Sequence, residues 1–369
     1  MPPSEATHTS HARPHRERSA NDVALVEDAV RVHVAGHSRI LREVDADLTP
    51  VTELLGEMAR GGKRIRAAFC TAGARGASGG ELPPGSIEAA AALEMFHLAA
   101  LIHDDVMDHS DRRRGRPTAH RHFAGHHRGL RWEGDPDVYG EAVAILAGDL
   151  CLTWSDDLID RAFADRDLAT RLDGRAVWSQ MRDETIAGQY LDILGQVQQT
   201  LSARRAGQVM RFKSARYTVG HPLRLGGVLG GGSDELLRAY DRIGLTAGEA
   251  FQLRDDLLGV FGDPDTTGKP VVDDIREGKR TLLVTTAAER ATTVQRGVLE
   301  RHLGDPGLTD DGLIAVCDVL RDTGAADEVE RRIARLTAEA LDIVDDLDVD
   351  DTTRSGIRDL VERCSWRRR

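Results

Sequence analysis

Long stretches of apolar residues at helical spacing constrain the fold of this chain more than any other feature of its sequence. In each stretch the apolar residues recur every three or four positions, which is the period of an α-helix with one buried face. The eight clearest stretches are 23–44, 86–108, 141–165, 168–194, 203–219, 234–261, 280–303 and 325–347. Short clusters of Gly, Pro and Asp separate them, as between neighbouring helices of a bundle. The pattern therefore predicts an all-α fold, a single large helical bundle.

Two regions fall outside this pattern. Residues 1–21 combine Pro, Ser, Thr, His and Arg with almost no large apolar side chains, so we predict a disordered tail there and one domain over 22–369. Residues 112–137 are rich in Arg, His and Gly, and we predict a surface loop. The histidines in or near that loop fit no tetrahedral metal site by their spacing. They are His109, His120, His122, His126 and His127.

The composition excludes several functional classes. With 49 basic and 61 acidic residues the net charge is −12, which disfavours nucleic acid as the main partner. The four cysteines are far apart and show no CxxC spacing, so neither a cysteine zinc site nor a disulfide framework is indicated. We find no apolar run near the roughly 20 residues that span a bilayer, and no signal peptide. We expect a cytoplasmic protein without a transmembrane segment.

An acidic cluster ends the predicted helix over 86–108. Asp104 and Asp108 are four residues apart and so lie on one face, one turn apart, with Asp105 beside them. Anions are unfavourable at a helix C-terminus because of the helix dipole, and the preceding residues are almost wholly apolar. Carboxylates emerging from a buried helix are typical of Mg²⁺ sites completed by water and substrate phosphate. The simpler alternative is a solvated acidic helix end.

A second acidic cluster follows another apolar helix. Here Asp255 and Asp256 are adjacent, but the position four residues after Asp255 is Gly259. Only four of the 49 basic residues are lysines, which suggests that the lysines mark places where a compact ammonium matters. They are Lys63, Lys213, Lys269 and Lys279. Two carboxylate clusters holding Mg²⁺ among Lys and Arg charges describe a site for a diphosphate.

These residues resemble the trans-isoprenyl diphosphate synthases, also called polyprenyl synthetases, and in particular the bacterial geranylgeranyl diphosphate synthases. The resemblance covers about residues 40–285, and six segments follow the family's order and spacing. They are GGKRIR (61–66), DDVMDHSDRRRG (104–115), GQYLD (188–192), KSARYT (213–218), FQLRDD (251–256) and GKPVVDDIREGKRT (268–281). The resemblance implies an isoprenoid synthase bundle around a central cavity. It also implies a homodimer.

The resemblance implies a role for each motif in joining isopentenyl diphosphate to an allylic diphosphate such as dimethylallyl, geranyl or farnesyl diphosphate. Isopentenyl diphosphate would be bound without a metal by Lys63, Arg66, His97 and Arg114. Two Mg²⁺ ions would be held by Asp104 and Asp108 and a third by Asp255, with support from Asp105 and Asp256. The allylic diphosphate would also be neutralised by Arg113, Lys213, Lys269 and, more weakly, Lys279. Near the developing carbocation would lie Gln189, Gln252 and Ser214.

Product length depends, in this family, on the helix that carries the first acidic cluster, because the growing chain runs beside it. Ala100 and Ala99, four and five positions before Asp104, leave the first turn open. One turn deeper, about 5.4 Å and close to one isoprene unit, Met95 and Phe96 are large enough to form a floor. We expect geranylgeranyl diphosphate (C20), with C25 or C15 as alternatives. Phe96 could equally be ordinary core.

Other readings remain open at this point. Many relatives have a third Asp where this chain has Gly259, which puts catalytic competence in doubt but not the fold. A class I terpene cyclase would share the fold and Mg²⁺, but its second metal site needs an Asn, and the sole asparagine is Asn21. An HD-type phosphohydrolase would use the pair His103 and Asp104 but leaves the second acidic cluster unexplained. A non-catalytic subunit of a heteromeric prenyltransferase is the non-enzymatic alternative.

Overall fold

The protein is an all-helical bundle apart from one two-stranded ribbon, in a computed structural model that describes residues 12–198, 201–262 and 273–366. The α-helices of the first half are α1 (Ala12–Val44), α2 (Thr49–Met58), α3 (Ile65–Ala77), α4 (Ser86–Met107), α5 (Ala119–Leu130), α6 (Pro136–Ala162) and α7 (Leu168–Val197). Those of the second half are α8 (Ala203–Val209), α9 (His221–Leu229), α10 (Asp234–Phe261), α11 (Asp273–Arg276), α12 (Leu282–Arg290), α13 (Thr293–His302), α14 (Asp310–Asp322), α15 (Ala325–Asp345) and α16 (Asp351–Ser365). The ribbon pairs β1 (Arg112–Arg113) with β2 (Arg116–Pro117) in antiparallel register.

Helix α4 lies at the centre of the bundle. Most of its 22 residues are buried, and it packs against α1, α3 and α6. The sequence predicts no apolar run of nearly membrane-spanning length, and this prediction is wrong for α4. Among the described residues, α4 is the one helix whose length and composition would allow a membrane crossing, but 67% of the apolar stretch is buried by the protein itself. Its apolar character is therefore that of a core helix, and its C-terminal end carries the first acidic cluster.

A π-helix (Met210–Gly220) continues directly from α8 and leads directly into α9. It packs against α7 on one side and α10 on the other. Such wide turns are rare and occur mostly as short segments at functional sites. This segment places the KSARYT motif between the two helices that flank the site.

Three predictions about chain organisation are wrong in part. Helix α1 begins at Ala12, because its polar side chains form ion pairs: Arg16 donates to Asp359 at 3.0 Å, and Arg75 donates to both carboxylate oxygens of Asp22. Residues 12–21 are therefore helical, while residues 1–11 lie outside the described part. The stretch 280–303 is two helices, separated by a capping box between Thr292 and Gln295.

The predicted surface loop over 112–137 is the third correction. It contains the ribbon and the amphipathic helix α5, which buries Phe123 against the core. Two of its histidines are buried as well. His120 contacts the Thr118 hydroxyl, and His127 is hydrogen-bonded to the carbonyl of Glu133. These two side chains are part of the packing, whereas the exposed His109 and His122 are not.

Candidate active site

The two acidic helix ends meet at one cavity, as the sequence predicts. The cavity has a volume of about 690 Å³, and its wall includes Asp104 from the end of α4 and Asp255 from the end of α10. The π-helix contributes Lys213 and Ser214 to the same wall. Carboxylates and cations from distant parts of the sequence thus share one pocket.

Asp104 and Asp105 of the first acidic cluster are each paired with a cation from another element. The Lys213 ammonium lies 3.1 Å from Asp104 Oδ1 and 2.8 Å from Asp192 Oδ2, so it bridges α4 and α7. Arg113, in the ribbon, donates its Nε to both oxygens of Asp105 at 2.8 Å. Asp105 is 0% exposed, which makes this ion pair a buried one that fixes the ribbon against α4.

These cations decide the protonation of Asp104. Burial raises the pKa of that carboxyl, but the charges of Lys213, Lys279 and Arg113 outweigh burial and lower it well below the usual range. Burial alone would lower the pKa of Lys213, whereas Asp104 and Asp192 raise it above its usual value. The ion pair is therefore charged at neutral pH.

Asp108 is held differently from Asp104. Its carboxylate lies 3.3 Å from Lys279, whose ammonium also contacts Asp274 at 3.2 Å and Glu277 at 2.6 Å. Burial and the neighbouring Asp104 raise the pKa of Asp108. Burial would lower the pKa of Lys279, but its three carboxylate neighbours raise it. One ammonium thus serves three carboxylates, so this side of the site has an excess of negative charge.

The second acidic cluster contains a buried carboxyl with a neutral partner. Gln252 donates its amide to Asp256 Oδ1 at 2.8 Å, and Asp256 is 8% exposed. Burial raises the pKa of Asp256 to about 7, and the nearby charges of Asp274 and Asp255 act in the same direction. Asp255 lines the cavity. Asp256 is hydrogen-bonded to a neutral amide, whereas Asp105 in the first cluster is paired with a charged guanidinium.

The space beside Gly259 is occupied by another carboxylate. A Cβ built on Gly259 would lie 2.1 Å from Asp274 Oδ2, which is far inside van der Waals contact. The carboxylate of Asp274 therefore takes the place that a side chain at position 259 would fill. Since both residues line the cavity, this chain still has a carboxylate at that point of the wall.

Another part of the cavity wall is basic. The guanidinium of Arg66 stacks on the Tyr217 ring, 4.1 Å from its centroid, and donates to the Thr218 hydroxyl at 2.9 Å. Burial and the surrounding arginines lower the pKa of His97 well below its usual value, so its ring is neutral. Its Nδ1 is buried without a hydrogen-bond partner among the described residues. A neutral donor among fixed cations suits an anionic ligand.

The GGKRIR turn requires glycine at position 62. Gly62 has φ 101°, in the left-handed region, and a Cβ there would lie 3.2 Å from the guanidinium of Arg114. Arg64 anchors the turn, because its buried side chain donates to Glu94 Oε2 at 3.0 Å. This turn therefore brings Lys63 and Arg114 to the same side of the cavity.

Several predicted site residues do not reach the cavity wall. Asp105 and Asp108 form ion pairs with Arg113 and Lys279, respectively, which do line the wall. Gln189 lies on α7, where its amide is 3.6 Å from the sulfur of Met107. Lys269 lies outside the described residues. Arg66, His97, Ser214 and Gln252 all line the wall.

The chain-length residues lie deeper along α4. Phe96 is 2% exposed and packs edge to face on Trp178 at 5.8 Å and on Tyr217 at 5.6 Å, measured between ring centroids. Met95 and Ala99 are fully buried, and Ala100 is half-buried. Tyr217 is also the ring under Arg66, so a single aromatic ring separates Phe96 from the basic side of the cavity.

Sequence reasoning missed the partners that hold the predicted residues in place. The main ones are Asp192, Arg64, Glu94, Asp274 and Glu277. All but Glu94 lie inside the six motif segments, so the motifs themselves were the available signal. Glu94 sits in the apolar helix α4, where an isolated acidic residue indicates a buried partner.

The donor set fits a hard divalent cation. Asp104 and Asp255 present carboxylate oxygens to one cavity, and Asp108 adds a further carboxylate on the same helix end. Magnesium prefers one or two carboxylates together with water and phosphate oxygens. Among the residues that the structure describes, no cysteine or histidine competes at this acidic end of the wall.

Comparison with known proteins gives consistent matches. The sequence pattern of the polyprenyl synthetase family matches residues 49–317. A geranylgeranyl pyrophosphate synthase from Corynebacterium glutamicum, crystallised with isoprenyl diphosphate and magnesium, is 39% identical. The two structures superpose with a TM-score of 0.86, covering 93% of this chain and 99% of that one.

Two further relatives make products of other lengths. A geranylfarnesyl diphosphate synthase from Aeropyrum pernix is 34% identical over 286 residues, 77% of this chain and 83% of its own. A farnesyl diphosphate synthase from Geobacillus stearothermophilus is 31% identical over 268 residues, 70% of this chain and 84% of its own. Overall similarity therefore does not separate the product classes.

Proposed function

The chain belongs to the polyprenyl synthetase family, whose members are trans-prenyltransferases, and we propose that it condenses isopentenyl diphosphate with allylic diphosphates to give mainly geranylgeranyl diphosphate. The observation that carries this proposal is the shared cavity. Asp104, Asp255 and Lys213 line it together with an arginine-rich part of the wall that includes Arg66 and Arg114. Two diphosphates of different roles fit such a divided pocket.

Isopentenyl diphosphate is assigned to the basic side. Lys63, Arg66 and Arg114 supply fixed positive charge there, and the neutral ring of His97 supplies a hydrogen bond without adding charge. The carboxylate of Glu94 is already paired with Arg64, so it does not compete for these cations. This half of the pocket needs no metal.

The allylic diphosphate is assigned to the acidic side. Asp104, Asp108 and Asp255 would hold Mg²⁺, three ions in our proposal, and the bound magnesium would supply positive charge to the leaving diphosphate. Lys213, Lys279 and Arg113 add protein charge at the same end, with Lys269 assigned there from sequence alone. Their carboxylate partners hold these cations in place before substrate binds, which is the preorganisation that stabilises a developing anion.

The reaction needs protection for a carbocation. When the allylic carbon–oxygen bond breaks, the bond electrons leave with the diphosphate, and the terminal alkene carbon of isopentenyl diphosphate attacks the resulting cation. The new cation then loses a proton, which the departed diphosphate accepts. Leu101, Met210 and Phe251 line the cavity and exclude water, while Ser214 and Gln252 present dipoles near the reacting carbons.

Product length is the finer part of the proposal. We assign the tunnel floor to Phe96, because its large buried ring lies one turn before Ala99 and Ala100 on α4 and packs against Trp178 of α7. The Phe96→Ala variant should shift the main product from C20 to longer chains. The matched control is Phe69→Ala, since Phe69 is an equally buried phenylalanine on α3 and its loss should cost stability without changing product length. An unchanged product distribution in Phe96→Ala would remove Phe96 as the floor.

One assay tests the activity itself. Purified protein is incubated with Mg²⁺, isopentenyl diphosphate and labelled dimethylallyl, geranyl or farnesyl diphosphate, and products are separated after dephosphorylation. Elongated prenyl alcohols support the proposal. Cyclic hydrocarbons would indicate a terpene cyclase. Release of the unextended alcohol before the dephosphorylation step would indicate a phosphohydrolase, and an absence of turnover would indicate a non-catalytic subunit.

We also propose a homodimer in the cytoplasm. Helices α6 and α7 expose large apolar side chains, among them Leu146, Ile186 and Tyr190, which a second copy would cover. The four cysteines are free and buried, as suits a reducing compartment. Light scattering of the wild type and of Leu146→Glu tests the dimer, which the added charge should weaken.

A further inference from the structure

A group of potential metal ligands lies where α1 meets α6, outside the cavity described above. His33 and His37 are one turn apart on α1, and Asp157 faces them from α6. Their ligand atoms all lie within 4.8 Å of one another. None of the three lines the active-site cavity, so the proposed prenyltransferase activity leaves them unexplained.

His33 has a defined tautomer and an unused lone pair. Its Nε2 lies 2.9 Å from the carbonyl oxygen of Trp154, and because a carbonyl can only accept, Nε2 carries the proton. The other ring nitrogen, Nδ1, is then an acceptor, and it is buried without a hydrogen-bond partner among the described residues. His33 is only 5% exposed. A ring oriented by a backbone carbonyl with its second nitrogen available is the usual state of a metal-bound histidine.

His37 and Asp157 complete the group towards solvent. The His37 ring stacks on Trp154 with centroids 4.9 Å apart, and its Nε2 lies 3.4 Å from Asp157 Oδ2. Asp157 is 51% exposed, which leaves an entry path and an open position for water. Ligands of a tetrahedral zinc ion are about 3.3 Å apart, given bonds of about 2.0 Å, so from separations of at most 4.8 Å the side chains need to move closer by up to about 1.5 Å.

Burial favours the neutral form of both imidazoles in this group. Burial and the neighbouring His37 lower the pKa of His33 to about 4, and burial also lowers the pKa of His37. Metal binding requires the neutral form of each ring. Asp157 favours a bound cation, while Arg161, one turn further along α6, opposes it.

We propose that His33, His37 and Asp157 form a site for one borderline divalent transition-metal ion of the zinc class, which clamps the N-terminal helix α1 to α6. Two imidazoles and one carboxylate match zinc, cobalt or nickel and are a poor set for magnesium, which prefers oxygen ligands alone. The site is structural, because a bound ion would join two helices at a distance from the reacting groups.

The experiment uses the full chain, freed of metal with a chelator and held in excess Mg²⁺ to occupy the acidic cavity. Co²⁺ is the probe, followed by its visible absorption, and Zn²⁺ is then titrated in competition. We expect one Co²⁺ per chain, displaced by Zn²⁺, and a binding constant at least about tenfold weaker in His37→Gln and in Asp157→Asn. Asp157 is exposed and His37 is half-buried, so conservative replacements should be tolerated at both positions, and melting curves in chelator verify that both variants fold.

The matched control is a second histidine pair with the same spacing. His122 and His126 also lie one turn apart, on α5, but form no such group with any carboxylate of the described residues. The variant His122→Ala/His126→Ala should bind Co²⁺ like the wild type. Equal Co²⁺ affinity in the wild type and His37→Gln, or a loss confined to the α5 variant, would overturn the proposal. Because the readout is absorption, neither result depends on prenyltransferase activity.

Discussion

The two acidic helix ends begin with the same pair of aspartates but are built in different ways. At the end of α4, Asp104 is paired with an ammonium and the buried Asp105 with a guanidinium. At the end of α10, the buried Asp256 is paired with the amide of Gln252. Asp104 is held ionised by its surroundings, whereas the pKa of Asp256 is raised to about 7.

This difference shows that a sequence motif does not fix the charge state of its members. Desolvation acts on both clusters, and the outcome depends on whether a cation is near enough to offset it. Since the ribbon delivers Arg113 and the π-helix delivers Lys213, the first cluster is organised by elements far from it along the chain. Four sets of variants test this difference between the two clusters.

Removing Arg113 should have the largest effect. Arg113→Ala leaves the fully buried carboxylate of Asp105 without its ion-pair partner, and breaking such a pair costs about 3–5 kcal/mol of the free energy of unfolding. Urea unfolding measures this loss. The control is Arg116→Ala in the same ribbon, where the pair with Glu57 is exposed and the change should stay within about 0.5 kcal/mol. Equal losses would show that the ribbon, not the ion pair, carries the stability.

Substitution at the ammonium bridge comes next. Asp104→Ala and Lys213→Ala should each lower the turnover number by about 10²-fold or more, because both side chains belong to the preorganised charge around the leaving group. Initial rates with saturating substrates and Mg²⁺ measure this. Asp160→Ala, at an exposed position of α6, should keep the wild-type rate. Near-normal turnover in either site variant would contradict the assigned roles.

The second cluster should respond to pH in the opposite sense from an ion-paired carboxylate. Because the folded pKa of Asp256 is raised from 3.8 to about 7, its contribution to stability is complete below 3.8 and is lost as pH rises through 7. This loss is on the order of 2 kcal/mol between pH 5 and 8. Urea unfolding in EDTA should show the decline in the wild type, and Asp256→Asn should reduce it. An identical pH profile for both proteins would show that a group other than Asp256 causes the decline in stability.

The smallest effect is expected at Gly259. Alanine at an open helical glycine stabilises a protein by about 0.5–1 kcal/mol, and Gly56 on α2, with no atom within 4 Å of its built Cβ, should behave in this way. Gly259→Ala should instead destabilise by about 1–2 kcal/mol, because the new methyl group overlaps Asp274. Thermal melting compares the two. Adding Asp274→Ala should cancel the crowding, and strictly additive losses would exclude the contact.

The helical architecture and the convergence of the motifs could be predicted from sequence, because both follow from local periodicity and from six segments in order. The ion-pair and hydrogen-bond partners of the individual site residues could not be predicted. Nothing in the sequence near Asp105 indicates that Arg113 donates to both oxygens of Asp105 and not to Asp104. The position of the Asp274 carboxylate beside Gly259 depends on the path of the chain after α10. The N-terminal start of α1 was missed because its stabilising ion pairs join residues more than 50 positions apart.

The π-helix makes the active site sensitive to the number of residues between Lys213 and Thr218. Its bonds run from residue i to i+5, so Lys213 and Thr218, five positions apart, both reach the cavity. In an ordinary α-helix five residues turn by about 500°, which would separate these two side chains by about 140° around the axis. Deleting a single residue between them would therefore turn either the ammonium or the hydroxyl out of the pocket, while most conservative replacements in the same segment would leave the geometry intact.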